Sequence, residues 1–122
     1  MCPFGLTHGG IDKSYSGVQA VSCSTIDPRV SWKMDTLGST MLHEYTHFTK
    51  LVVPPMSKDI IDVAYCPSEV QALSKHEALR NADSYTWFAN ELFWTRKCGT
   101  DYRDPTDLDN VRPGSPSRCR FQ

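Results

Sequence analysis

Two histidines and a glutamate in the pentapeptide HEYTH, namely His43, Glu44 and His47, are the residues whose types and spacing could do chemistry. Side chains four apart on an α-helix share a face, with about 6 Å between their Cβ atoms. His43 and His47 could therefore offer one imidazole nitrogen each to a single zinc ion at about 2.0–2.1 Å. Glu44 is rotated from His43 by about 100°. That is too far round to act as a ligand from the same turn, but suitable for taking a proton from a water that the zinc polarises. The water's pKa falls toward about 7, and the glutamate removes the proton as the water attacks a carbonyl. The bland reading of the same letters is a solvated helix face carrying two histidines and an acid. The zinc reading requires a helix, and a third protein ligand that leaves the fourth position open.

The helix is expected over residues 36–52, capped by Asp35 or Thr36 and ended by Pro54 and Pro55, which cannot continue the hydrogen-bond ladder. Leu37, Met41, Tyr45 and Phe48 recur at helical spacing and are expected to face the core. Ser74 and Glu77 form a capping-box signature and are expected to open one helix of about 20 residues. Its apolar stripe would be Ala78, Ala82, Tyr85, Phe88 or Ala89, and Leu92. Arg96 and Lys97 complement the dipole at its C-terminus, and Gly99 ends it. Ahead of the zinc helix, YSGVQAVSCS and RVSWKM read as strands. The tail over 99–122 is polar, Pro-rich and expected to be irregular.

The third ligand must come from elsewhere. No histidine follows at the spacing of the extended HExxHxxGxxH motif, and His76 beside the second cap is expected to face solvent. Glu69, Glu77 and Glu91 are available in principle, and Asp59, Asp62 and Asp83 are the aspartate candidates. Asp83 borders the expected buried stripe, and a half-buried acid usually has a partner. It is read here as accepting the second N–H of a ligand histidine, with direct ligation the alternative.

The order HEYTH, then DIIDVAYC, then NADSYTWFAN resembles the aspzincins, the deuterolysin and peptidyl-Lys metalloendopeptidase group, over about residues 22–95. Their pattern is HExxH, then GTxDxxYG, then a helix with a phrase such as NADSY. The resemblance implies that His43, His47 and Asp62 hold one zinc ion and that Glu44 is the general base. It implies that Tyr65 stabilises the oxyanion, and it matches Asp83 to the aspartate of the last motif. This chain has Asp59 and Ile60 in place of the family's Gly-Thr, and Cys66 in place of its final Gly. Cys66 is therefore expected to anchor the loop through a disulfide, with Cys98 as its partner. The implied function is a secreted zinc metalloendopeptidase acting on proteins or peptides. The alternative is a non-catalytic zinc-binding secreted interaction protein on a degenerate protease scaffold. A weaker third reading is a disulfide-stabilised domain without zinc. Asp59 or Asp101 near the cleft could favour a basic substrate side chain.

The 122 residues suit one domain. It is expected to be a small α+β zincin-like fold: a β-prone part over 1–35, the zinc helix, ligand loop and second helix over 36–98, and the tail. A net charge of −1 gives no broad basic surface for nucleic acid or an anionic membrane. No apolar run approaches the roughly 20 residues of a membrane-spanning helix. No secretory leader is visible at the start of the chain. The five cysteines, Cys2, Cys23, Cys66, Cys98 and Cys119, contain no CxxC pair. They read as disulfide partners in an oxidising compartment, with one left over.

Overall fold

Thr36 starts the helix that carries HEYTH. In the computed structural model, which describes residues 22–54 and 57–105, helix α1 runs Leu37–Thr46. The Thr36 hydroxyl accepts the Ser39 N–H at 3.2 Å, and the Ser39 hydroxyl accepts the Thr36 N–H at 3.0 Å. A serine thus does the work that Glu or Gln performs in the usual capping box. The Ser39 hydroxyl also donates to the Asn90 side-chain oxygen, tying the cap to the last helix.

α1 is shorter than the expected 36–52. The Thr46 hydroxyl donates to the His43 carbonyl at 2.7 Å, and the His47 N–H turns instead to Glu44 O at 3.2 Å. The ladder tightens there and residues 49–51 form a turn, with the Leu51 and Val52 N–H groups both bonded to Phe48 O at 2.9 Å. The buried positions of α1 are Ser39 and Thr46. Tyr45 and Phe48, expected in the core, are 47% and 59% exposed.

The second long helix is two helices. After the short α2, Pro67–Gln71, which begins with a proline suited to its first turn, the Ser74–Glu77 capping box opens only α3, Lys75–Leu79. Helix α4 runs Ala82–Cys98. The break at Arg80 and Asn81 has a long-range cause. The Ile61 N–H bonds to Arg80 O at 2.7 Å and the Ala82 N–H to Ile61 O at 2.9 Å, so this piece of chain pairs as an extended bridge with the loop after α1. The buried face of α4 is Ala82, Thr86, Asn90 and Trp94, spaced by four. Of the expected stripe Ala82 is buried, whereas Phe88 is 70% and Leu92 43% exposed. Gly99 ends α4 in the left-handed conformation, φ 64°, with its N–H on Thr95 O, a geometry that favours glycine.

α1 packs chiefly against α4. The apolar core lies at the far end of α4, where Val30, Met34 and Trp94 are buried and Ile26, Trp87, Cys98 and Tyr102 pack around them. The Trp94 indole N–H donates to Met34 O at 2.9 Å. Cys98 is bonded to Cys23, which corrects the expected Cys66–Cys98 pairing; Cys66 is itself in a disulfide. Residues 32–34 of RVSWKM form a 3-10 turn, Trp32–Met34, rather than a strand. Among the described residues, the β-structure consists of two parallel bridges, Arg29 with Arg103 and Ile61 with Asn81. The described part is therefore mostly helical, and most of YSGVQAVSCS lies outside it, as does the tail after residue 105. No helix among the described residues is long and apolar enough to cross a membrane.

Trp94→Ala is expected to lower stability by about 3–5 kcal/mol, from the cavity left by a fully buried indole and the orphaned Met34 carbonyl. Urea unfolding followed by circular dichroism reads the effect. An unchanged midpoint would mean that the packing of this core is not as described.

Candidate metal centre

α1 delivers His43 from its last turn and His47 from its C-cap, and the loop that follows brings Asp62 to both. The two Nε2 atoms lie 3.3 Å apart. Asp62 Oδ1 is 3.1 Å from His43 Nε2 and 3.2 Å from His47 Nε2. The three donor atoms form a nearly equilateral triangle. For a tetrahedral ion with bonds of about 2.0–2.1 Å, simple geometry puts neighbouring ligand atoms about 3.3 Å apart. Asp62 is the exposed member of the three, so the cluster is open to solvent on that side.

The outer nitrogens decide the tautomers. The His47 Nδ1–H donates to Ile60 O at 2.9 Å. A carbonyl only accepts, so in the neutral ring Nε2 presents a lone pair. His43 Nδ1 lies 2.5 Å from Asp83 Oδ1, where the carboxylate accepts and Nε2 is again the free lone pair. Two imidazole lone pairs and a carboxylate oxygen then face one another. A proton on one ring could bridge to one neighbour and would leave the remaining acceptors face to face. A cation in the middle satisfies all three, so the donor chemistry fits a metal ion.

The surroundings are negative. Burial pulls the His43 pKa down and is the largest single influence. The hydrogen bond and charge of Asp83, with the charges of Asp62 and Glu44, outweigh it and hold His43 above the ordinary histidine value. Burial pushes the Asp83 carboxyl up, opposed by its hydrogen bond to His43 and the charge on that ring. Both shifts favour a proton held between His43 Nδ1 and Asp83 Oδ1.

Of the other residues singled out by sequence, Tyr65 stacks on His43, with ring centroids 6.0 Å apart and planes at 18°. Glu44 is half-buried beside His43. Among the described residues, Asp59, Glu69, His76, Glu77, Glu91 and Asp101 do not join the cluster. Asp59, His76 and Asp101 are exposed.

Two contacts were not foreseen from sequence. Asn81 accepts the N–H groups of Val63 and Ala64 at 2.8 and 3.0 Å. The Trp87 indole N–H donates to Tyr65 O at 2.7 Å. The only signal for them is position: both lie in NADSYTW, beside Asp83 and one helical turn beyond it.

The chain has relatives whose names agree with this chemistry. It is 44% identical over 56 residues to a neutral protease 2 homolog of Neosartorya fischeri, covering 46% of this chain and 11% of that protein. It is 45% identical over 53 residues to one of Aspergillus fumigatus, covering 43% of this chain and 14% of that protein. A probable neutral protease 2 homolog of Arthroderma otae is 39% identical over 56 residues, 46% of this chain and 14% of its own length. The matched stretch is thus a small part of each of these curated relatives. No solved structure matches the chain. The model of the lysine-specific metallo-endopeptidases matches residues 20–90, a span that takes in α1, the Asp62 loop and the first half of α4, and the chain belongs to that family, the aspzincins.

Proposed function

We propose that this chain carries the catalytic centre of a secreted zinc metalloendopeptidase. The observation that carries the reading is the triangle of His43 Nε2, His47 Nε2 and Asp62 Oδ1, with lone pairs converging at tetrahedral ligand spacing. These three residues hold one zinc ion. Zinc bound there supplies Lewis acidity toward water and toward the carbonyl of the scissile peptide. Glu44 takes the proton that the attacking water loses and returns it to the departing amine. The Tyr65 hydroxyl donates a hydrogen bond to the oxygen on which negative charge develops. Asp83 keeps the proton of His43 on Nδ1 and fixes the ring's orientation. The substrate is a protein or peptide, and the family's description points to a lysine beside the cleaved bond. The Cys23–Cys98 disulfide and the bonded Cys66 favour an oxidising, extracellular compartment.

The test is zinc stoichiometry on the purified chain together with casein cleavage, with and without a chelator. One zinc per chain and chelator-sensitive cleavage are expected. Zinc without cleavage would point to the non-catalytic interaction protein instead, and a chain that takes up no zinc would end both readings.

Asp83→Ala is expected to weaken zinc binding about 10–100-fold, because the His43 ring loses the acceptor that orients it. Competition against a chromophoric chelator measures this, and an affinity equal to that of the native chain would remove Asp83 from the account.

A further inference from the structure

Asn81 is fully buried, and its side chain does not do the work its position predicts. It is the N-cap residue of α4, where an asparagine ordinarily accepts an N–H from the first turn of its own helix. Here it makes no such capping bond. Its oxygen accepts two backbone N–H groups of the ligand loop, Val63 at 2.8 Å and Ala64 at 3.0 Å. Its Nδ2 donates to Ser84 Oγ at 3.2 Å, which holds the amide in that orientation. On the other side of Asp62, Ile61 is pinned through both backbone groups to Arg80 and Ala82, and Ile60 O receives the His47 ring N–H at 2.9 Å. Asp62 therefore stands between two neighbours whose backbones are clamped, and both clamps come from the three residues 80–82, where the chain enters α4.

We propose that Asn81 is a positioning residue for the metal centre: by holding the N–H groups of Val63 and Ala64 it sets where the Asp62 carboxylate meets His43 and His47. The inference rests on the zinc reading and deepens it. Asp83, two residues on, holds His43. One short segment, 81–83, therefore fixes both the third ligand and the ring opposite it, and couples the ligand set to the start of α4. The clamp works through backbone N–H groups, which makes it indifferent to the departures of this loop from the family's letters at Asp59, Ile60 and Cys66.

Asn81→Ser tests the role, because serine is a good N-cap residue but too short to span to both N–H groups. Asn81→Asp keeps an acceptor of the same shape. Metal-free protein is titrated with Co(II), and the visible absorption of the bound ion and the affinity are read beside the melting temperature of the metal-free chain. Asn81→Ser is expected to bind about 10–100-fold more weakly, with a fainter visible band as water replaces the carboxylate. Asn81→Asp should stay within about threefold of the native affinity. Asn81→Ser matching the native affinity and spectrum, with only its melting temperature lowered, would make the residue a purely structural one and overturn the proposal. So would Asn81→Asp failing as badly as Asn81→Ser. Should Asn81→Ser not fold, Ser84→Ala, which releases only the far end of the amide, decides: several-fold weaker Co(II) binding supports the proposal and native binding rejects it. Native chain that takes up no Co(II) sinks the zinc reading itself, whereas native uptake with an unaffected Asn81→Ser sinks this inference alone.

Discussion

Glu44→Gln is expected to keep its zinc and to lose about 10²–10⁴-fold in kcat/KM for peptide hydrolysis, or about 3–5 kcal/mol of transition-state stabilisation. The substitution preserves the volume and hydrogen-bonding reach of the side chain, and Glu44 is not one of the three clustered donor atoms. What it removes is the ability to carry a proton. It also removes one of the negative charges that act on His43, the weakest of those contributing there, so the change at the ring is small. The measurement pairs metal content by atomic absorption with the initial rate of casein cleavage. Cleavage at the native rate by a zinc-loaded Glu44→Gln chain would remove the general base from the mechanism. Loss of zinc along with activity would show instead that Glu44 supports the ligands, and its catalytic assignment would not survive.

The sequence made the local half of this molecule readable. Helical spacing was enough to put His43 and His47 side by side, and the structure holds their Nε2 atoms 3.3 Å apart. The Thr36 cap, the Ser74–Glu77 box and Gly99 are short-range devices, and each stands at a helix boundary as its letters suggest. Asp62 could be picked from several acids only through the resemblance, because a loop residue's destination is set by what the loop docks against. The misread features share that origin. A helix straight through Arg80 and Asn81 is sound by propensity, and it is broken by a bridge to Ile61 that no local pattern encodes. The apolar stripe assigned to α4 failed because its buried face is half polar. The Thr86 hydroxyl donates to Ala82 O and the Asn90 oxygen accepts the Ser39 hydroxyl, which meets part of the cost of burying them, while Asn90 Nδ2 has no partner among the described residues. Apolar letters such as Phe48 and Phe88 were left outside, and hydrophobic periodicity has no means of knowing that. The same holds for the cysteines: Cys98 meets Cys23, 75 residues away, where Ile26 and Cys98 both pack against the Trp94 core.

His47→Ala should remove most of the zinc-dependent rise in melting temperature while costing the metal-free chain only about 1 kcal/mol. A ligand bound only by the folded state stabilises it by about 4 kcal/mol when present at a thousand times its Kd. For the native chain this appears as a rise in melting temperature with added zinc. Removing a ligand atom from a three-residue site must cost more than the roughly 100-fold that marks the loss of an orienting partner. At the same zinc concentration the stabilisation should therefore fall from about 4 kcal/mol to less than about 1.4 kcal/mol. The choice between the two histidines matters. His43 holds Asp83, whose side chain is mostly buried at 13% exposure. His43→Ala leaves that carboxylate without its cation and donor, and should lower metal-free stability by about 3 kcal/mol or force the acid to protonate. His47 is more exposed, at 28% on its side chain, and its outer nitrogen meets only the Ile60 carbonyl. Truncating His47 costs one hydrogen bond, about 1 kcal/mol. The two variants should thus lose zinc alike and differ in metal-free melting temperature, His43→Ala being the lower. Equal melting temperatures would deny the His43–Asp83 pair its buried character. A zinc-induced shift of native size in His47→Ala would place the metal somewhere other than between these side chains.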